Sequence, residues 1–132
     1  MAFARIYLRL MGAMSLVFGL VYLLAPESMT APTGFGTLSP GALTDVRATY
    51  GGFQLGSGAF LLWAASDASR VRVALVVVAL TIGAVALSRA TGLLLDSSAS
   101  GFHLAALATE TTLTVLAFVA LGRARSVEAV AA

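Results

Sequence analysis

The chain has 132 residues, of which 59% are hydrophobic and 11% charged, and its formal net charge is +2. Soluble domains carry about 25% charged residues, so this composition excludes a water-soluble globule, which would have too little polar surface to cover its core. All eight basic residues are arginine, and the sequence pI of 9.7 reflects anchoring at a membrane rather than nucleic-acid binding. The absence of cysteine excludes disulfides, thiolate metal sites and cysteine nucleophiles, and leaves the redox compartment undetermined.

A hydrocarbon core of about 30 Å requires about 20 helical residues at a rise of about 1.5 Å each. Segments of that length occur at about 6–25, 42–65, 71–95 and 102–121. Apolar residues surround nearly every face of each, so the stripe of an amphipathic soluble helix is missing. Membrane strands alternate polar and apolar positions, and runs such as LVFGLVYLLA and VALVVVAL do not. The expectation is all-α: one membrane domain over residues 1–132, an antiparallel up-down-up-down four-helix bundle.

Breaks fall where the backbone chemistry asks for them. Pro26 ends the first helix because it lacks an amide proton and clashes with the preceding turn. The stretch from Glu27 to Gly41 holds Pro32, Pro40, Gly34 and Gly36 and reads as a loop, with Ser39-Pro40 capping the second helix. The breaks at Ser66 to Arg70 and Asp96 to Gly101 are short and imply hairpins.

Arginines orient the bundle. Arg5 and Arg9 open the first helix, Arg70 and Arg72 sit at the second break, and Arg123 and Arg125 follow the fourth helix. All three places fall on one side of an up-down bundle, which the positive-inside rule makes cytoplasmic, together with both ends of the chain. Tyr7 and Trp63 are expected at the cytoplasmic interface and Tyr22 at the outer one. The first helix resembles a signal peptide in having arginines before an apolar run, but it lacks a small-residue cleavage site and reads as retained. The alanine- and arginine-rich composition suggests a bacterial inner (plasma) membrane protein from a GC-rich genome.

The remaining polar residues gather in the outer half. Asp45, Arg47, Tyr50 and Gln54 lie on the second segment, Arg89 and Asp96 on the third, and His103 and Glu110 on the fourth. Counting about 1.5 Å per residue puts Arg47 about 8 Å, Arg89 about 9 Å and Glu110 about 12 Å below the outer boundary. A charge at mid-bilayer costs about 2.5–3.5 kcal/mol on insertion scales, so Glu110 is expected to pair with Arg47 or Arg89. Arginine snorkels over its long stem; glutamate at that depth does not, and Glu110 is the sharpest candidate residue in the chain.

Two readings of this cluster stay open. In one it is an ion-pair network that locks helix packing, with Thr109, Thr111, Thr112 and Thr114 bonding back to their own helix. In the other it is a small polar pocket, with Ala106 leaving room beside Glu110. The glycines at 51, 52, 56 and 58 read as helix packing, with Gly52 and Gly56 as the G-x-x-x-G pair. His103, the lone histidine, reads as solvated or capping; no metal and no cofactor are expected, although one histidine leaves haem ligation open. Stretches 59–65, 73–80 and 115–121 offer almost no polar side chain, whereas a channel or proton relay needs polar steps through the whole membrane. A one-sided site fits better.

The stretch TDVRATYGGFQLGSGAFLL, followed by SRATGLLLD and HLAALATE, resembles the bacterial membrane family named domain of unknown function 4345. Its most specific part is Asp-x-Arg-x-x-Tyr-Gly-Gly, here Asp45, Arg47, Tyr50, Gly51 and Gly52. Arg89 and Glu110 match polar positions of the family, and the resemblance implies a four-helix membrane fold with no known activity. A more distant likeness to DoxX-like membrane proteins rests on topology alone.

Three functions of different class follow. The first is a membrane protein that binds a small amphiphilic ligand, or a partner helix, through Asp45, Arg47, Tyr50, Gln54, Arg89, His103 and Glu110. The second is an isomerase or cyclase acting on a lipophilic substrate, with Glu110 as general acid or base and the arginines stabilising negative charge. The third is a structural or accessory subunit, a homo-oligomer among its forms.

Overall fold

A computed structural model describes the backbone of residues 1–131 and the side chains of residues 1–124. Every regular element among the described residues is helical: α1 (Ala2–Leu24), α2 (Pro26–Thr30), α3 (Pro40–Val46), α4 (Phe53–Ala65), α5 (Ala68–Leu95) and α6 (Gly101–Ala131). A 3-10 turn, Ala31–Thr33, follows α2, and a π-helical stretch, Arg47–Gly52, joins α3 to α4. Three helices are long and apolar enough to cross a membrane: α1, α5 and the Gly101–Ala124 portion of α6. Only 17–33% of their most apolar windows is buried inside the protein. Side chains such as Leu10, Leu80, Leu87 and Phe118 point outward, which water would penalise and hydrocarbon does not.

Local chemistry sets the boundaries. Ala25 leaves the helical region at φ −134°, ψ 58°, as the steric demand of a following proline requires. Pro26 then opens α2 at the first helical position. The expected loop from Glu27 is therefore corrected, because proline stops the helix before it and starts the one after it. Thr30, 1% exposed, donates to the carbonyls of Pro26 and Glu27 at 3.0 and 3.2 Å. Gly34 and Gly36 turn the chain with positive φ, which glycine adopts without strain. Ser39 caps α3, its hydroxyl accepting from the Ala42 amide at 3.2 Å, with Pro40 at the first position. Asp67 caps α5 by accepting from the Ser69 amide and hydroxyl at 2.9 and 2.7 Å. Those bonds, aided by Arg70, hold its carboxyl below the usual carboxylate range.

The expected second helix is divided. Where a single α-helix over 42–65 was expected, the Phe53 amide reaches back five residues to the Ala48 carbonyl, the long bond of a π turn. Backbone angles at both joins stay helical (Arg47 φ −61°, ψ −42°; Gly52 φ −61°, ψ −44°), so the path winds without a break from Pro40 to Ala65.

Glycine sets how closely α1 approaches this path, though not through the expected pair. A Cβ on Gly58 would lie 2.7 Å from the Gly12 carbonyl oxygen, and one on Gly19 would lie 2.9 Å from that of Gly51. Gly56 has open space around it, and Gly52 meets only the Arg47 carbonyl at 3.9 Å. The interface is thus built on glycines seven apart (Gly12 and Gly19 against Gly51 and Gly58), and Gly52-x-x-x-Gly56 faces away. Between α5 and α6 the close point is Gly83, where a Cβ would meet the Thr114 methyl at 3.3 Å.

The core lies toward one end. It is made of Leu8, Met11, Leu61, Val71, Leu75 and Val78, with alanines of all four long segments between them. Tyr7 belongs to it, at 6% exposure, and donates to the Leu113 carbonyl of α6 at 2.7 Å. Its expected place at the interface is corrected: a phenol with a carbonyl partner is satisfied in the interior. At the same end the Arg70 guanidinium lies 4.1 Å from the Trp63 ring centroid and donates to Asp67 and the Trp63 carbonyl at 3.1 Å each. Arg123 lies 5.1 Å over Phe3. Arg125 lies outside the residues whose side chains are described.

Candidate functional site

Away from that core, toward the α5–α6 turn, the helices present polar groups to one another. Arg89 sits on α5 and Glu110 on α6. Counted at about 1.5 Å per residue, they lie about 9 Å and about 13 Å from the turn-side ends of their helices. Arg89 Nε donates to Glu110 Oε1 and Oε2 at 3.0 and 2.8 Å, and Nη2 donates to Oε1 at 2.6 Å. A guanidinium fork on a carboxylate is the strongest geometry available to such a pair. Their side chains are 25% and 15% exposed. One turn beyond, the Thr114 hydroxyl donates to the Glu110 carbonyl at 2.8 Å, and its methyl rests at Gly83. The small residue brings α6 close enough to α5 for the fork to close.

His103 completes the group. Its Nδ1 stands 3.3 Å from Arg89 Nη1. A guanidinium only donates, so Nδ1 accepts and the ring proton resides on Nε2. The His103 amide donates to the Ser100 hydroxyl at 3.3 Å, at the start of α6. Arg89, Gly92, Leu93, Ser98 and His103 line a cleft of about 170 Å³ at the turn. On the other flank, Tyr22 of α1 stacks on Tyr50 of the π stretch with ring centroids 5.4 Å apart.

The candidates from sequence thus separate. Arg89, His103 and Glu110 come together, while Tyr50 stacks on Tyr22. Arg47 does not join: its Nε donates to the Leu23 carbonyl at 3.1 Å, closing the end of α1. Arg47 and Glu27 border a second cleft of about 190 Å³ at the α1–α2 bend. Asp45 is exposed and Gln54 half-buried. The expected alternative of Glu110 against Arg47 is therefore resolved toward Arg89. The i, i+3, i+7 spacing of Arg47, Tyr50 and Gln54 assumes an α-helix, and the π turn through Arg47–Gly52 changes that phase. Tyr22 is the residue that sequence reasoning placed only at an interface. Its signal is Gly19, one turn earlier on the same face, which marks where α1 touches the π stretch.

Fold and site together define an all-helical protein with three helices long and apolar enough to cross a membrane, and an ion-paired polar group between two of them. The chain belongs to the family described as Domain of unknown function (DUF4345), whose model matches residues 3–121. That span includes every site residue named above, and the family description assigns no activity. No curated protein and no solved structure matches the chain.

Proposed function

We propose that this is a multi-pass protein of the bacterial inner membrane that crosses the bilayer four times, with both ends cytoplasmic, and receives the polar head of a small amphiphilic ligand at Arg89, His103 and Glu110. The unbroken helical path from Pro40 to Ala65 supports a fourth crossing. Opposed registers support an antiparallel bundle: Gly12 meets Gly58 while Gly19 meets Gly51, and Arg89 meets Glu110 while Gly83 meets Thr114. The arginines of α1, the α4–α5 turn and α6 then share one end, the cytoplasmic one.

The observation that carries the site is a largely enclosed ion pair whose guanidinium also borders a cleft. Ionisable groups at such depth mark function by default. A binding role is preferred to acid–base catalysis because both Glu110 oxygens accept N–H groups of Arg89, so little lone-pair capacity is left to take a substrate proton. The same saturation favours a second reading, in which the pair only locks α5 to α6. Native mass spectrometry with lipidomics separates the two. The binding reading expects a small molecule that co-purifies reproducibly with the wild type and is lost from a folded Glu110→Gln protein. Identical mass spectra for both, with a lower unfolding temperature for the variant, would assign the pair to structure alone.

A further inference from the structure

The donor and acceptor balance around the cleft specifies what kind of head it takes. Resting on the binding reading above, we infer that the ligand's head is an uncharged group presenting oxygen acceptors, of the ketone, ester or quinone kind, on an apolar tail.

Charge is the first constraint. Arg89 and Glu110 cancel, and His103 turns Nδ1 toward Arg89 Nη1 as an acceptor. Asp96 stands at the rim: its Oδ2 is 3.6 Å from where a Cβ on Gly92 would lie, and Gly92 lines the cleft. An anionic head would meet the Glu110 and Asp96 carboxylates with only one guanidinium, already paired, to offset them. A cationic head inside the cleft would meet the Arg89 guanidinium in its wall, while the Glu110 carboxylate that could offset it is already paired. Charges of either sign are therefore selected against.

Hydrogen-bond capacity is the second constraint. Of the five N–H groups of Arg89, three are engaged, by Glu110 and His103. One on each terminal nitrogen stays outside any hydrogen bond among the described residues. His103 Nε2–H and the Ser98 hydroxyl add further donors among the lining residues, while the Glu110 oxygens are mostly taken. A site with surplus donors, whose guanidinium and carboxylate are already paired with each other, is complementary to a carbonyl oxygen.

Volume is the third. A space of about 170 Å³ compares with about 30 Å³ per water and with about 300 Å³ or more for sites that enclose a drug-sized ligand. The cleft holds a head and leaves the tail outside, where Leu94, Leu95 and Leu104 are 83%, 78% and 52% exposed.

The test uses the full chain in lipid nanodiscs, equilibrated at equal mole fractions with 2-dodecanone, dodecanoate, dodecylammonium or dodecane. Bound probe is read by native mass spectrometry, and hydrogen bonding by the ¹³C shift of carbonyl-labelled 2-dodecanone. We expect at least tenfold more adduct with the ketone than with any other probe, a downfield carbonyl shift, and loss of both in His103→Phe. Preferential retention of dodecanoate or dodecylammonium would overturn the assignment of the head while leaving a ligand site standing. Retention of none of the probes, or of all four alike, would overturn both. Ketone binding unchanged in His103→Phe would place the ligand elsewhere and overturn the assignment.

Discussion

Arg89→Met is expected to destabilise the protein by about 3 kcal/mol, at the lower end of the range for removing one partner of a buried ion pair. The cost comes from Glu110, which keeps 15% of its side chain exposed and loses all three of its guanidinium contacts at once. Snorkelling does not rescue a short carboxylate so far from the end of its helix. The double variant Arg89→Met/Glu110→Met should recover most of the loss, since replacing both ions by apolar side chains of similar volume is often neutral or stabilising. Arg47→Met serves as the contrast. Its bond to the Leu23 carbonyl lies at an exposed helix end, and a shift of about 1 kcal/mol or less is expected. Equilibrium unfolding with sodium dodecyl sulfate in mixed micelles, followed by circular dichroism, measures all four proteins on one scale. A double variant as unstable as Arg89→Met would mean that packing around the arginine stem, not the charge, was lost.

Gly58→Ala and Gly56→Ala, two residues apart, are expected to act in opposite directions. A methyl on Gly58 would be driven to 2.7 Å from the Gly12 carbonyl oxygen and 2.8–2.9 Å from Leu16. Two of these three neighbours are backbone atoms, so α1 and α4 must move apart, at an overpacking cost of about 1–3 kcal/mol. At Gly56 the same methyl meets nothing within 4 Å, so only the gain in helix propensity acts, up to about 1 kcal/mol. The same unfolding assay measures both. Destabilisation by Gly56→Ala as large as that by Gly58→Ala would contradict the placing of Gly56 outside the helix interface.

These contrasts show which parts of the molecule the sequence makes legible. Helix existence is legible because hydrocarbon thickness imposes a length on every apolar run, and Pro26 and Ser39-Pro40 punctuate it by local sterics alone. Arg89 against Glu110 is legible because a carboxylate that deep admits few partners. Choosing Arg89 over Arg47 is not, since both arginines count to a similar depth and the choice depends on the π turn. One additional residue in a turn leaves no mark on hydrophobic periodicity in a segment that is apolar all round. The interface glycines fail for a related reason: with four glycines between 51 and 58, spacing alone does not say which pair meets α1. Tyr7 and Tyr22 are partnered by residues 106 and 28 positions away, and no local pattern encodes such a pairing.

A cluster that binds a ligand head from the outer side requires the α5–α6 turn to lie opposite the arginine-rich end. The chain has no cysteine, so single substitutions report without background. Ser98→Cys, at the cleft, and Ser69→Cys, beside Arg70, are to be labelled with a membrane-impermeant maleimide in intact bacterial cells and in inverted membrane vesicles. The four-crossing arrangement predicts labelling of Ser98→Cys in cells and of Ser69→Cys only in inverted vesicles. Labelling of both from the same side, or of Ser98→Cys only in inverted vesicles, would contradict it.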